Sequence, residues 1–297
     1  MKQVMCEDLV FVVLNYNSED ITIKCVDNLL SFALDFHIVV VDNKSPNGSF
    51  QKLKEYYLDK PCDVIESKCN GGYSKGNNFG IRYAEKKYNP KYIAIINPDV
   101  IIPHHSIVEE LISTIEANQN CAVVGSMHVE TTSDDHYPVA WSIPAELEFI
   151  KSKSIFSVRK HKNESYSKSE NPIKVECISG CFFIITMEAL RDIGYLDEDI
   201  FMYNEETLLG YKLMHKNYYE LLRTDLLFYH NHVNSTNPTL RSFMPKRLKR
   251  FESDIVLFKK IYGDKIGLIL LYVLGYINIV AEYLWFIYKE FKNRIRS

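Results

Sequence analysis

Four short runs constrain this chain most: Leu9–Leu14, His37–Val41, Val64-Ile65 and Tyr92–Ile96 are apolar at almost every position. A strand points successive side chains to opposite faces, so an unbroken apolar run is one buried on both faces. Between the runs lie stretches with helical patterning, Ile21–Phe32, Phe50–Leu58 and Ser74–Lys87. Strands covered on both faces and joined by helices predict an α/β fold with a mostly parallel sheet. The last run stops at Asn97-Pro98-Asp99. Pro98 has no N–H for a strand ladder, so the strand ends there and carries Asp99 past its carboxyl edge. Ligands of open α/β sheets bind at that edge. Taken alone, the segment fits both a plain turn and a carboxylate that holds a divalent cation against phosphate oxygens.

Other segments share this two-sided character. Asp42 ends its strand as Asp99 does, and suits either an Asx turn or an acceptor for a base imide or ribose hydroxyl. Asn70 to Gly80 holds four glycines and opens a helix, as an anion-binding loop does, yet it lacks the Gly-Lys-Ser/Thr ending of a P-loop. Gly194 to Glu206 packs five acids around Ile200-Phe201-Met202-Tyr203. Its Glu205-Glu206 pair reads as a general base or as the acidic first turn of a helix. His230 and His232 follow a strand at Leu226–Tyr229 and suit a metal, a diphosphate or plain surface.

At 297 residues, with 46% hydrophobic and 25% charged, the chain is an ordinary globular one, and its net charge of -3 argues against nucleic-acid binding. The charge is uneven. From Arg241 onward there are twelve Lys/Arg against five Asp/Glu, so this tail is about +7. The seven cysteines are scattered without a CxxC pair, which suits reduced thiols. Charges in Met1–Asp8 and the short apolar run after it do not make a signal peptide, so the expected setting is cytoplasmic. Ser106–Asn118 reads as a helix and Cys121–Ser126 as a strand. Thr131–Asn171 is polar and irregular, and order resumes at Cys177–Ile185 with a helix at Met187–Ile193. The expected division is residues 1–240 and a basic, apolar helical tail, 241–297. Ile266–Tyr288 has the length of a bilayer span. Asn278, Glu282 and basic flanks on both sides favour a helix lying on an anionic membrane surface over a span or a homodimer core.

The order of these motifs is more specific than any one of them. Asn15-Tyr16-Asn17, Val41-Asp42-Asn43, the loop from Asn70 to Gly80, Asn97-Pro98-Asp99, Ser179-Gly180, Tyr203-Asn204-Glu205-Glu206 and His230 together resemble glycosyltransferase family 2, in its bacterial rhamnosyltransferase-like branch. The resemblance covers roughly residues 8 to 240. It implies a GT-A fold, with a nucleotide-binding sheet, and inverting sugar transfer from a UDP- or dTDP-linked donor to a glycan or lipid-linked glycan in polysaccharide synthesis. By position, Asn15, Asn17, Asp42, Asn43, Gly71, Gly72, Lys75, Asn78 and Asn97 would bind the donor. Asp99 and His230 would hold Mn2+ or Mg2+, and Glu206 or Glu205 would be the base. An enzyme of this kind works at the inner face of the plasma membrane.

The chain departs from the family pattern Tyr-x-Glu-Asp-x-Asp. Glu206 replaces the first Asp, Leu208 the second, and Tyr211 stands near an expected Arg. The alternative is therefore a catalytically impaired nucleotide-sugar-binding protein of the same fold. A nucleotidyltransferase is disfavoured, because Asn15–Asp20 offers no Lys/Arg-rich phosphate loop.

Overall fold

The computed structural model describes residues 6–130, 138–155, 171–231 and 240–296. Its first unit comprises residues up to Ser142, Asn163–Glu198 and Glu205–Asn234. The expected alternation is present: β1 (Leu9–Asn15), α1 (Glu19–Leu30), β2 (His37–Asp42), α2 (Ser49–Tyr56), β3 (Asp63–Glu66), α3 (Gly72–Tyr88) and β4 (Tyr92–Ile96). The later elements are β5 (Val100–Ile101), α4 (Ser106–Ala117), β6 (Cys121–Glu130), β7 (Ala140–Trp141), α5 (Glu146–Ser152), β8 (Ile173–Val175), β9 (Cys177–Ile178), β10 (Phe182–Thr186), α6 (Met187–Asp192), α7 (Glu205–His215) and β11 (Tyr219–His230).

Among the described residues the main sheet has nine strands, in the order β3-β2-β1-β4-β10-β6-β11-β5, with β8 also on β11. Six of the nine run the same way; β10, β5 and β8 oppose their neighbours. Cys177–Ile185 is two strands rather than one. β9 leaves the main sheet to pair with β7, and the break falls at Ser179-Gly180-Cys181.

Strand alternation builds two cores. Leu9, Phe11 and Val13 face α1 and α4 through Val26, Leu29 and Leu111. Val10 and Val12 face α3, α6 and α7 through Ile81, Leu190 and Leu213. Each such side chain contributes about 1.5–3 kcal/mol when fully buried. Two glycines set how closely α3 lies on the sheet. A Cβ at Gly76 would stand 2.5 Å from Leu14 Cδ1, and one at Gly80 2.6 Å from Val41 Cγ2.

The second unit comprises Ile143–Lys162, Asp199–Asn204 and the residues from Ser235 on. It contains α5 with two long helices, α8 (Leu240–Ile261) and α9 (Lys265–Arg296). The buried Asp254 accepts hydrogen bonds from Lys153 (2.6 Å) and Asn204 (2.9 Å), and Ser253 Oγ donates to the Met202 carbonyl. Lys265–Lys289 is apolar enough to cross a membrane, yet only 22% of its most apolar window is buried. Ile269, Val273, Leu284 and Trp285 are exposed.

Candidate active site

The carboxyl ends of β1 and β2 are bound together by side chains. Asn15 and Asp42 lie level in the sheet, and Asn15 Nδ2 donates to Asp42 Oδ2 at 2.7 Å. Ser45 N donates to Asp42 Oδ1 at 2.8 Å, while Asn15 Oδ1 accepts from Thr22 Oγ1 at 2.9 Å. Asp42 is fully buried. In this conformation it braces the loops rather than facing solvent. Asn17, with φ 57°, turns the chain over this layer, and its N–H donates to Ser45 Oγ at 2.9 Å.

Asn43 joins the layer to the glycine loop. Its Nδ2 donates to Asn70 Oδ1 and to the Gly72 carbonyl, both at 3.1 Å, and Gly71 N reaches its Oδ1 at 3.4 Å. Gly72 needs its glycine, because its φ is 85°. The stem of the exposed Lys75 lies over Gly71, where an added Cβ would meet Lys75 Cδ at 2.5 Å. Asn78 departs from the donor-binding role expected of it. Its amide is fully buried, donating to the Leu196 carbonyl at 2.9 Å and accepting from Leu196 N at 3.1 Å. Those bonds point it away from the loop, into the fold.

At the end of β4, Asn97 N donates to the Cys181 carbonyl at 2.8 Å. Two residues on, Asp99 Oδ1 lies 3.3 Å from His230 Nε2, and the Asp99 carbonyl accepts from Asn231 N at 2.7 Å. The two residues named as metal ligands are therefore adjacent, though 131 positions apart in the chain. Two further groups share this corner. His128 and Glu130 stand on β6, and their ligand atoms lie within 4.8 Å of each other and of His230. Imidazole and carboxylate are suitable donors for a divalent metal, so these residues fit one. The sequence reading ended this strand at Ser126, where the apolar run ends; a His-x-Glu pair continuing the same face was the signal that would have extended it.

Glu205 and Glu206 open α7, where acids suit the helix dipole. Glu206 Oε1 accepts the Gly180 N–H at 3.0 Å, and burial pushes its carboxyl above the ordinary range, against hydrogen bonds that lower it. Tyr73 OH donates to the Gly180 carbonyl at 2.6 Å. Burial, then the nearby Glu206 and Glu205, hold that phenol well above its usual value. Gly180 is thus clasped on both sides, and sequence reasoning gave it no role. Asp99 and Glu206 both act on the Cys181 thiol, which burial pushes up to about 12. Asp99 and Glu206 therefore flank one dipeptide, Gly180-Cys181.

Residues 10–194 match the sequence model of Glycosyl transferase family 2. The chain belongs to this family. Over 217 residues it is 30% identical to the low-salt glycan biosynthesis hexosyltransferase Agl10 of Haloferax volcanii, a match covering 73% of this chain and 65% of that one. It thus spans under two thirds of that relative. The mannosyltransferase PcManGT of Pyrobaculum calidifontis, solved with GDP-Man and Mn2+, superposes with a TM-score of 0.56 at 15% identity, over 93% of this chain and 74% of that chain. TarS 1-349 of S. aureus, solved with UDP-GlcNAc, gives 0.56 at 17% identity, over 93% and 71%. At such identities the likeness establishes the fold, which is GT-A. Glycan biosynthesis is the setting that the name of the Haloferax volcanii relative gives.

Proposed function

We propose that this family-2 chain is an inverting glycosyltransferase that moves a hexosyl or deoxyhexosyl group, a rhamnosyl-type sugar among them, from a UDP- or dTDP-linked donor. The acceptor is a glycan hydroxyl, carried on a lipid, in surface polysaccharide assembly. The observation that carries this reading is the Gly180-Cys181 dipeptide, which holds Glu206 through the Gly180 N–H and Asn97 through the Cys181 carbonyl. Glu206 and the Asn97-Pro98-Asp99 segment thereby share one edge of the sheet.

The nucleoside end of the donor is assigned to the layer of Asn15, Asn17, Asp42 and Asn43, and its phosphates to Gly71, Gly72 and Lys75 beside Asn97. Asp99 and His230 hold the cation, Mn2+ or Mg2+, which when bound supplies Lewis-acid stabilisation to the leaving diphosphate. Glu206 takes the proton of the acceptor hydroxyl as that oxygen bonds the anomeric carbon. The bond to the diphosphate breaks with its electron pair leaving on the phosphate oxygen. A carboxyl raised by burial is a better-matched base near neutrality than an exposed one. Glu205, buried at the first turn, is the companion acid. The exposed apolar face of α9, followed by Lys289 and Lys292, suits attachment to an anionic inner membrane surface.

Turnover with a panel of UDP- and dTDP-sugars and glycan acceptors tests the reading. Glu206→Gln should lower turnover about 10²–10⁴-fold with donor affinity retained; unchanged turnover removes Glu206 as the base. One observation favours a binding-only protein: Leu208, in place of the family's second acid, is 1% exposed core. Donor binding without turnover for any donor and acceptor would establish that alternative.

A further inference from the structure

We propose that the chain carries a protein-built cation site, in which His128 and Glu130 join His230 beside Asp99, and that it binds a transition-metal dication before any nucleotide arrives. Asp99 and His230 come from the functional reading above, on which the proposal rests; His128 and Glu130 are new.

The placement follows from strand geometry. His128 and Glu130 are two apart on β6, so they share one face. His230 on β11 lies in register with Glu130, and Phe228 with His128. This register depends on an irregularity. From Glu220↔Val123 to Arg223↔Ser126 the two strands pair residue for residue, and pairing resumes only at Leu227↔Met127. The three extra residues 224–226 switch the residues of β11 that share the face of His128 from odd numbers to even. Continued without the interruption, the ladder would set Leu227 beside Glu130. With it, an imidazole stands there, and on the far side of β11 His230 pairs with Val100, the residue after Asp99.

The chemistry of the cluster also points to an ion. The side chains of His128 and Glu130 are 3% and 2% exposed, so an ion held between them would sit away from bulk solvent, where its attraction to a carboxylate is little screened. His128 Nε2 and Glu130 Oε1 are 3.8 Å apart, and His230 Nε2 and Asp99 Oδ1 are 3.3 Å apart. Ligands bound to one ion at about 2.1 Å stand roughly 3 to 4.2 Å from each other, so a spread of 4.8 Å closes with small side-chain adjustments. Two imidazoles with a carboxylate select Mn2+, Co2+ or Zn2+ over the all-oxygen preference of Mg2+.

The test is titration of the chelator-stripped 297-residue chain with MnCl2, free Mn2+ being read by its electron paramagnetic resonance signal, without nucleotide. One Mn2+ should bind, at least about 10-fold tighter than Mg2+ competes, and His128→Asn and Glu130→Gln should each weaken it by about 10-fold or more. Thermal melts of both metal-free variants establish that they are folded, and a Mn2+-dependent rise in the melting temperature of the unaltered chain is an independent readout. Mn2+ binding only when UDP is added, or binding unchanged in both variants, overturns the proposal and leaves sugar transfer standing. Nucleotide-free Mn2+ binding with no turnover for any donor does the reverse.

Discussion

Gly180→Ala isolates the proposed base, Glu206, from the rest of the fold. An added Cβ would lie 2.7 Å from Glu206 Oε1 and 3.2 Å from its Cδ and Cγ. Favourable carbon contacts begin near 3.5 Å, so the carboxylate must move by about 0.5–1 Å. The obstacle is the mobile end of a side chain, and Gly180 is not among the glycines with positive φ, so the backbone accepts alanine. Stability should therefore change by no more than about 1 kcal/mol. Catalysis should change far more. A misplacement near 1 Å costs about 10²-fold, or about 2.7 kcal/mol of barrier.

The same substitution has a pH signature. The Gly180 N–H bond lowers the Glu206 pKa against the burial that raises it. Displacing the carboxylate weakens that bond, so the folded pKa rises further. The base works deprotonated, so the acid limb of kcat against pH should move to higher pH. Steady-state nucleotide release across pH, donor affinity and a thermal melt together provide the check. Wild-type turnover with an unmoved acid limb would refute the assignment of Glu206. A stability loss above about 3 kcal/mol would instead show that Gly180 acts on the fold.

Asn78→Ala should destabilise by about 2–4 kcal/mol, because it leaves the buried Leu196 N–H and carbonyl without their amide partner; urea unfolding measures it, and a change confined to donor affinity would restore the donor-binding role. Glu220, fully buried on β11, has a carboxyl raised well above 4.5 by desolvation and then by Glu206. Its contribution is thus present below the ordinary carboxylate value and lost as pH rises through the raised folded value, so Glu220→Gln should stabilise the chain at alkaline pH relative to acid pH, as read by melting temperature from pH 5 to 9. Trp285→Asp with Val273→Asp should weaken sedimentation with phosphatidylglycerol vesicles at least 10-fold while leaving the thermal melt unchanged, and retained sedimentation would rule out α9 as the attachment face.

Sequence reached as far as apolar patterning could carry it. β1, β2 and β4 were legible because burial on both faces leaves unbroken apolar runs, and Asp42 and Asn97 mark their ends. The same pattern is blind to direction. Phe182–Ile185 reads alike whether β10 runs with its neighbours or against them, and it runs against both. The four glycines of the loop also read alike in composition, whereas Gly76 and Gly80 serve close packing of α3 on Leu14 and Val41. β11 was hidden further, since the three extra residues at 224–226 interrupt the period of two on which strand reading depends.

The reversal of β10 explains why the site stands where it does. Parallel strands deliver their exits to one edge of a sheet, and here β4, β6 and β11 bring Asn97-Pro98-Asp99, His128-Val129-Glu130 and His230 to it. An antiparallel strand between β4 and β6 delivers its entrance to that edge, with Phe182 level with Ile96. An exit offers side chains on a finished ladder. An entrance offers a loop whose backbone N–H groups are not yet committed to neighbouring strands, and Gly180 N–H is one such group, given to Glu206. Had β10 run parallel, its start would lie at the opposite edge, and α7 would need another donor to hold its first-turn acid. The reversed strand is therefore what lets Glu206, at the first turn of α7, and Asn97, at the end of β4, meet across two consecutive residues.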